Sequence, residues 1–327
     1  MTGALSVERR RAMLRTAMGP AIAAALGDER VLEIMVNPDG ALRVDIVGEG
    51  CVDTDVRLEP AQVERIIRLV AAHARGEVHG DRPIVSAELP PHGDGAGERF
   101  EGILPPVATA PCFSIRKPAA RVHTLMDYVE GGIMSAEAAR LLSLAVVERR
   151  NILVAGGTSS GKTTLANALL AEMAHLNERV ILIEDTRELQ CAAADTVALR
   201  TRAGSVTMAD LVRSTLRLRP DRIIVGEVRG PEALDMLKAW NTGHPGGIAT
   251  IHANSAASAL YRLEQLVQES VVTVPRRLIA DAIDMIVFIA GRGVARRVET
   301  IARVVGVDPD GGYAVIDITP SPTIPGD

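Results

Sequence analysis

Residues 156–163 read Gly-Gly-Thr-Ser-Ser-Gly-Lys-Thr and fill every position of the pattern G-x-x-x-x-G-K-[ST]. An apolar run, Asn151–Ala155, precedes them and an Ala/Leu-rich stretch, Lys162–Ala174, follows, so the pattern lies between an expected strand and an expected helix. In that context glycines let successive backbone N–H groups turn inward around phosphate oxygens, and the helix N-terminus adds partial positive charge. Gly156, Gly157, Thr158, Ser159, Ser160, Gly161, Lys162, Thr163 and Thr164 are therefore expected to hold ATP. Lys162 is expected to reach the β- and γ-phosphates, and the Thr163 hydroxyl to bind Mg²⁺. The competing reading is a chance Gly-rich turn. Strand, loop and helix in register speak against it.

Hydrolysis needs a carboxylate near the terminal phosphate, at the tip of a neighbouring strand. Arg222–Val225 is such a strand, ending in Gly226-Glu227 where many phosphate-loop enzymes place an Asp. Glu227 is the leading candidate for the base that orients water; a solvated loop carboxylate is the bland alternative. Glu184 and Asp185, with Glu188 four residues on, follow the apolar run Val180–Ile183. They could hold Mg²⁺ through water, or form a polar loop in which Asp185 caps a helix. His244 and His252 bracket a Gly-rich turn and the strand Ile248–Ile251. By spacing alone they are as compatible with a structural role as with sensing a γ-phosphate. Arg200, Arg202, Arg213, Arg217, Arg219 and Arg229 surround these segments, as salt-bridge partners or as cations for transition-state charge.

The elements that must position these residues alternate from Ser135 onward. Ser135 is an expected N-cap, and helices over Met208–Leu218, Pro231–Trp240 and Ser255–Gln268 separate the apolar strands. Continuous apolar strands between helices predict a mostly parallel sheet covered on both faces, an α/β fold. Residues 1–118 have a different texture. A first amphipathic helix should bend or end near Gly19-Pro20. Strands are expected at Val31–Val36, Leu42–Val47, Ile84–Leu89, Arg99–Leu104 and Cys112–Arg116. Pro91–Gly97 is an expected Gly-rich turn, and a helix opens at Glu59-Pro60 with Val63, Ile66, Ile67 and Val70 on one face. The expected organisation is a smaller N-terminal α+β domain (1–118), a linker (119–132) and an α/β domain (133–327), with Pro320–Asp327 as a loose tail.

Composition limits the function classes. The 327 residues are 47% hydrophobic and 24% charged, ordinary for a globular protein of about two domains. Net charge is −5 and aromatics are 2%, which gives no basic stripe and no base-stacking surface, so direct nucleic-acid binding is not expected. Cys51, Cys112 and Cys191 are dispersed and predict reduced thiols in a cytoplasmic protein. No run approaches the ~18 apolar residues of a membrane span. Arg9-Arg10-Arg11 ahead of an apolar stretch imitates an export signal, but Arg15 and Pro20 interrupt it.

Together these segments resemble the secretion-ATPase superfamily, the traffic ATPases of type II and type IV secretion and pilus machines. The resemblance rests on Gly156–Thr164, the acidic box Ile181–Glu188, Arg219–Gly230 and the histidine box Gly243–Ala253. Glu33–Gly40, Arg99–Pro106 and Phe113–Pro118 are similar to the type IV secretion branch, most closely the TrbB-type ATPases of conjugative DNA transfer. The resemblance implies a RecA-like P-loop motor preceded by a PAS-like domain, nucleotide between the two, and a homo-hexameric ring. It implies secretion or conjugation proteins at the inner membrane as partners, with this chain cytoplasmic or peripheral there. It further implies that Glu227 is catalytic, that His252 and Glu184 or Asp185 line the site, and that Arg99 and Arg116 reach the phosphates. Three dispersed cysteines cannot build the four-cysteine zinc module common in type II and pilus-extension relatives. The rival functions are a pilus or type II secretion ATPase, a motor that translocates DNA itself, and a nucleotide-gated scaffold without turnover.

Overall fold

In the computed structural model, residues 2–74, 76–90, 97–118, 121–202 and 204–320 are described, the side chains of residues 2–11 excepted. Most of the expected turn Pro91–Gly97 and of the expected tail Pro320–Asp327 therefore lies outside the described residues. The chain divides into two compact units, 1–120 and 121–327.

In the first unit, α1 (Thr2–Gly27) breaks at Gly19, whose φ of 80° and ψ of 173° leave the helical region directly before Pro20. β1 (Val31–Val36), β2 (Ala41–Ile46) and β3 (Gly50–Arg57) form a meander, followed by α2 (Pro60–His73). β4 (Ile84–Glu88), β5 (Arg99–Ile103) and β6 (Cys112–Arg116) complete an antiparallel sheet ordered β3-β2-β1-β6-β5-β4. The 3,4-spaced Val63, Ile66, Ile67 and Val70 of α2 are buried, and the helix packs on β4, β5 and β6. β3 was not expected from sequence. It is an edge strand with almost every residue exposed, so no alternation of apolar residues marks it.

The second unit begins with α3 (Leu125–Glu130), inside the segment expected to be linker. Thr124 and Asp127 form a reciprocal capping box, and Leu125 and Tyr128 are buried in the core of this unit. α4 (Ala136–Val147), capped by Ser135, leads to β7 (Ile152–Gly156) and α5 (Lys162–Ala171). β8 (Arg179–Glu184), β9 (Asp195–Arg200), α6 (Met208–Thr215), β10 (Arg222–Val225) and α7 (Glu232–Asn241) follow. The unit ends with β11 (Ile248–His252), α8 (Ala256–Gln268), α9 (Arg276–Ala282), β12 (Met285–Ala290), β13 (Arg297–Val307) and β14 (Tyr313–Asp317).

The sheet order is β14-β13-β12-β7-β11-β10-β8-β9. Strands β12 to β9 in that order run parallel, and the hairpin β13–β14 adds antiparallel pairs at the β12 side. β7 shows why the parallel strands are apolar throughout. Ile152 and Val154 pack with α3, α4 and α5, whereas Leu153 and Ala155 pack with α6 to α9. Each such buried Ile, Leu or Val stabilises the fold by about 1.5–3 kcal/mol.

Polar groups pin the ends of these strands. The side-chain oxygen of Asn151 accepts from the N–H groups of Gly246 and Gly247, and its amide nitrogen donates to the carbonyl of Ala282. One buried side chain thus ties the start of β7 to the segments entering β11 and β12. Arg222, almost wholly buried, is neutralised by Glu178.

Candidate nucleotide site

The C-terminal ends of β7, β10, β11 and β12 meet on one edge of the sheet, which is where open α/β sheets bind ligands. The loop Gly157–Gly161 leaves β7 there and enters α5. Gly161 is its N-cap residue with φ of 96°, a left-handed conformation that disfavours a side chain. The hydroxyl of Ser160 donates to Gly157 O at 3.0 Å, closing the loop on itself. Lys162 is buried, and its Nζ donates to the same carbonyl at 2.9 Å. Thr163 and Thr164 fall in the first turn of α5.

Lys162 also faces the ends of β11 and β10. Its Nζ lies 3.3 Å from Nδ1 of His252, and Nε2 of that ring lies 2.7 Å from Oε1 of Glu227. The second contact is close in distance but off the line of a hydrogen bond, so Oε1 has no aligned donor among the described residues. The other oxygen, Oε2, accepts from Arg229. Burial, then the charge on Lys162, holds the imidazole of His252 below its ordinary pKa, against the opposing pull of Glu227. The ring is therefore mostly neutral at neutral pH.

The acidic box behaves differently. Glu184, at the end of β8, is buried, and its Oε1 accepts from the N–H groups of Glu188 (2.9 Å) and Leu189 (2.7 Å). Burial pushes its carboxyl up to about 7. Its Cγ would stand 3.0 Å from a Cβ placed on Gly226. A side chain at this strand end would have to shift the Glu184 side chain by a few tenths of an ångström. Asp185 is half exposed, accepts from the Thr201 hydroxyl at 2.9 Å and lies 3.8 Å from Arg229. No helix begins at Asp185, so the expected alternative of an N-cap there does not hold.

His244 stands apart from the rest. Its Nδ1 is 3.0 Å from the carbonyl of Pro220, ahead of β10 and β11, at the opposite end of the strands. Arg99 and Arg116 are in the first unit, directly opposite one another on β5 and β6. Each also has a carboxylate opposite it on its other side, Glu88 on β4 for Arg99 and Glu33 on β1 for Arg116. Arg213 pairs with Asp235 on the second unit's surface.

The sequence reading missed two cations. Nε of Arg292 donates to Thr158 O at 3.2 Å, and the guanidinium of Arg296 packs against Gly161. Their signal was an arginine pair shortly after the apolar run 285–290, and that run had not been read as a strand. Among the described residues no group of three or more His, Cys, Asp or Glu side chains is placed to hold a metal ion.

A family profile described as "Type II/IV secretion system protein" matches residues 63–299. The chain belongs to that family. Conjugal transfer protein TrbB of Rhizobium radiobacter is 47% identical over 295 residues, covering 90% of this chain and 90% of that one. A probable conjugal transfer protein TrbB of Sinorhizobium fredii is 47% identical over 293 residues, covering 89% and 88%. The crystal structure of the pilus retraction motor PilT with bound ADP superimposes with a TM-score of 0.59 at 19% identity, covering 91% of this chain and 80% of that one. The TrbB relatives thus share sequence with this chain along most of its length, and PilT shares its fold. No helix among the described residues is long and apolar enough to cross a membrane.

Proposed function

We propose that this secretion-family protein hydrolyses ATP to ADP and phosphate and drives a conjugative type IV secretion apparatus with the energy released. The observation that carries the reading is the convergence of Lys162, His252 and Glu227 beside a complete phosphate loop. In this arrangement Lys162 spends its ammonium on a loop carbonyl, Gly157 O. Phosphate oxygens are stronger acceptors for it, and a helix N-terminus such as that of α5 adds partial positive charge. Glu227 keeps Oε1 without an aligned donor while Arg229 holds Oε2, which leaves one oxygen to accept a proton from an attacking water.

Thr163 suits Mg²⁺. A single hydroxyl, completed by substrate oxygens and water, is the sparse protein donor set that this cation takes. Mg²⁺ would neutralise charge that builds on the phosphates. Asp185 is the better outer carboxylate for its water shell, since Glu184 is committed to two backbone N–H groups. Arg99 and Arg116, adjacent cations on β5 and β6, are proposed to serve anionic oxygens.

On this reading the protein works as a homo-hexamer at the cytoplasmic face of the inner membrane, with conjugation proteins as partners; the conjugal-transfer names of the TrbB relatives support the last of these. Turnover of ATP by the wild type, abolished in Lys162→Ala, is the expected outcome. Near-wild-type turnover in that variant would remove the loop assignment.

A further inference from the structure

Arg292 and Arg296 flank the short 3-10 turn Gly293–Ala295 that joins β12 to β13. Both reach the phosphate loop: Arg292 through Thr158 O, and Arg296 by contact with Gly161. A Cβ on Gly161 would come within 2.8 Å of Nε and 3.0 Å of Cζ of Arg296. Neither arginine forms an ion pair among the described residues, and Nε of Arg296 is buried with no acceptor. A guanidinium beside a helix N-terminus, one residue from Lys162, faces the positive end of the helix dipole. That placement is unfavourable until an anion joins it.

The sheet order says which part of the ligand this would be. β11 and β10, carrying His252 and Glu227, lie on one side of β7, and β12 lies on the other. A triphosphate whose terminal phosphorus faces Glu227 must run its nucleoside end away from β10. The β12–β13 turn is the wall on that side.

We infer that Arg296 binds the α-phosphate end of the nucleotide, and that Arg292 is a positioning residue that fixes the loop carbonyl beside it. The inference rests on the phosphate-loop reading above. The loop is then gripped from both flanks, with the catalytic contacts on one and a contact common to ATP and ADP on the other.

The test measures binding of ATP and ADP, each with Mg²⁺, and steady-state turnover. The proteins are the full-length wild type, Arg296→Gln, Arg296→Lys and Lys162→Ala. Arg296→Gln should weaken ATP and ADP by the same factor, about tenfold to hundredfold, the range of one charge-assisted hydrogen bond. The loss should fall on KM rather than kcat, and Arg296→Lys should recover part of it. Wild-type affinity in Arg296→Gln overturns the inference, as does a loss confined to ATP or a fall in kcat and thermal stability with KM unchanged. If Lys162→Ala binds both nucleotides as the wild type does, the phosphate-loop reading itself fails, a result distinct from these.

Discussion

His252 Nε2 stands 2.7 Å from Glu227 Oε1, while the other nitrogen of the ring stands 3.3 Å from Lys162 Nζ. One imidazole therefore spans the gap between the cation expected to grip the terminal phosphates and the carboxylate expected to direct water. Lys162 can only donate, so Nδ1 is the acceptor and the ring proton sits on Nε2, close to Glu227 but off the line to Oε1. A ligand that draws Lys162 away from His252 changes what the ring meets, and Glu227 lies next in line.

This arrangement has a pH signature. The pKa of His252 is held below its ordinary value of 6.5, so the ring gains its proton only below that pH. Protonation there places a third cation beside Lys162 and Arg229. Turnover should fall on the acid side below pH 6.5, and His252→Gln should lose that limb of the kcat/KM profile. The unfolded ring binds its proton first as pH falls, so the same group costs stability below 6.5. An unchanged acid limb in His252→Gln would show that another group controls it.

Glu184 should act on stability rather than on turnover. Its carboxyl titrates at about 7 when folded, against 4.5 ordinarily. Between those values the folded chain keeps a proton that the unfolded chain has lost, so stability falls as pH rises through that window. The full penalty applies above 7 and amounts to about 3 kcal/mol at most, at about 1.4 kcal/mol per pKa unit. Glu184→Gln keeps an oxygen for Glu188 and Leu189, and should gain stability over the wild type at pH 8 relative to pH 5. Urea unfolding at the two values measures it; equal differences at both would contradict the account.

Gly247 decides how β11 enters the sheet. A Cβ there would lie 2.1–2.5 Å from ring atoms of Trp240, whose indole donates to Ile223 O at 3.0 Å. Gly247→Ala must displace that ring or the strand, and should cost about 1–3 kcal/mol, the usual range for overpacking. A melting temperature equal to that of the wild type would refute this packing argument.

The parts legible in the sequence were those in which local pattern and chemistry coincide. Gly156–Thr163 and the apolar strands beside it announce their geometry, because backbone turns and strand burial are local demands. The helix Leu125–Glu130 was hidden in a Pro- and Gly-flanked stretch, though Thr124 and Asp127 spell its capping box. β9 was passed over because Asp195–Arg200 has no fully buried residue, and β3 for the same reason. The burial of Glu184 and the approach of Arg296 to Gly161 are long-range facts. Each depends on which strands become neighbours, β8 with β10 and β12 with β7, and no spacing records that.

Glu227→Gln is the most direct test of the whole account, read by nucleotide binding and single-turnover hydrolysis on one preparation. The account predicts ATP affinity close to that of the wild type, with cleavage slowed by about 10²–10⁴-fold, the usual worth of a general base. Hydrolysis at the wild-type rate in that variant would contradict it.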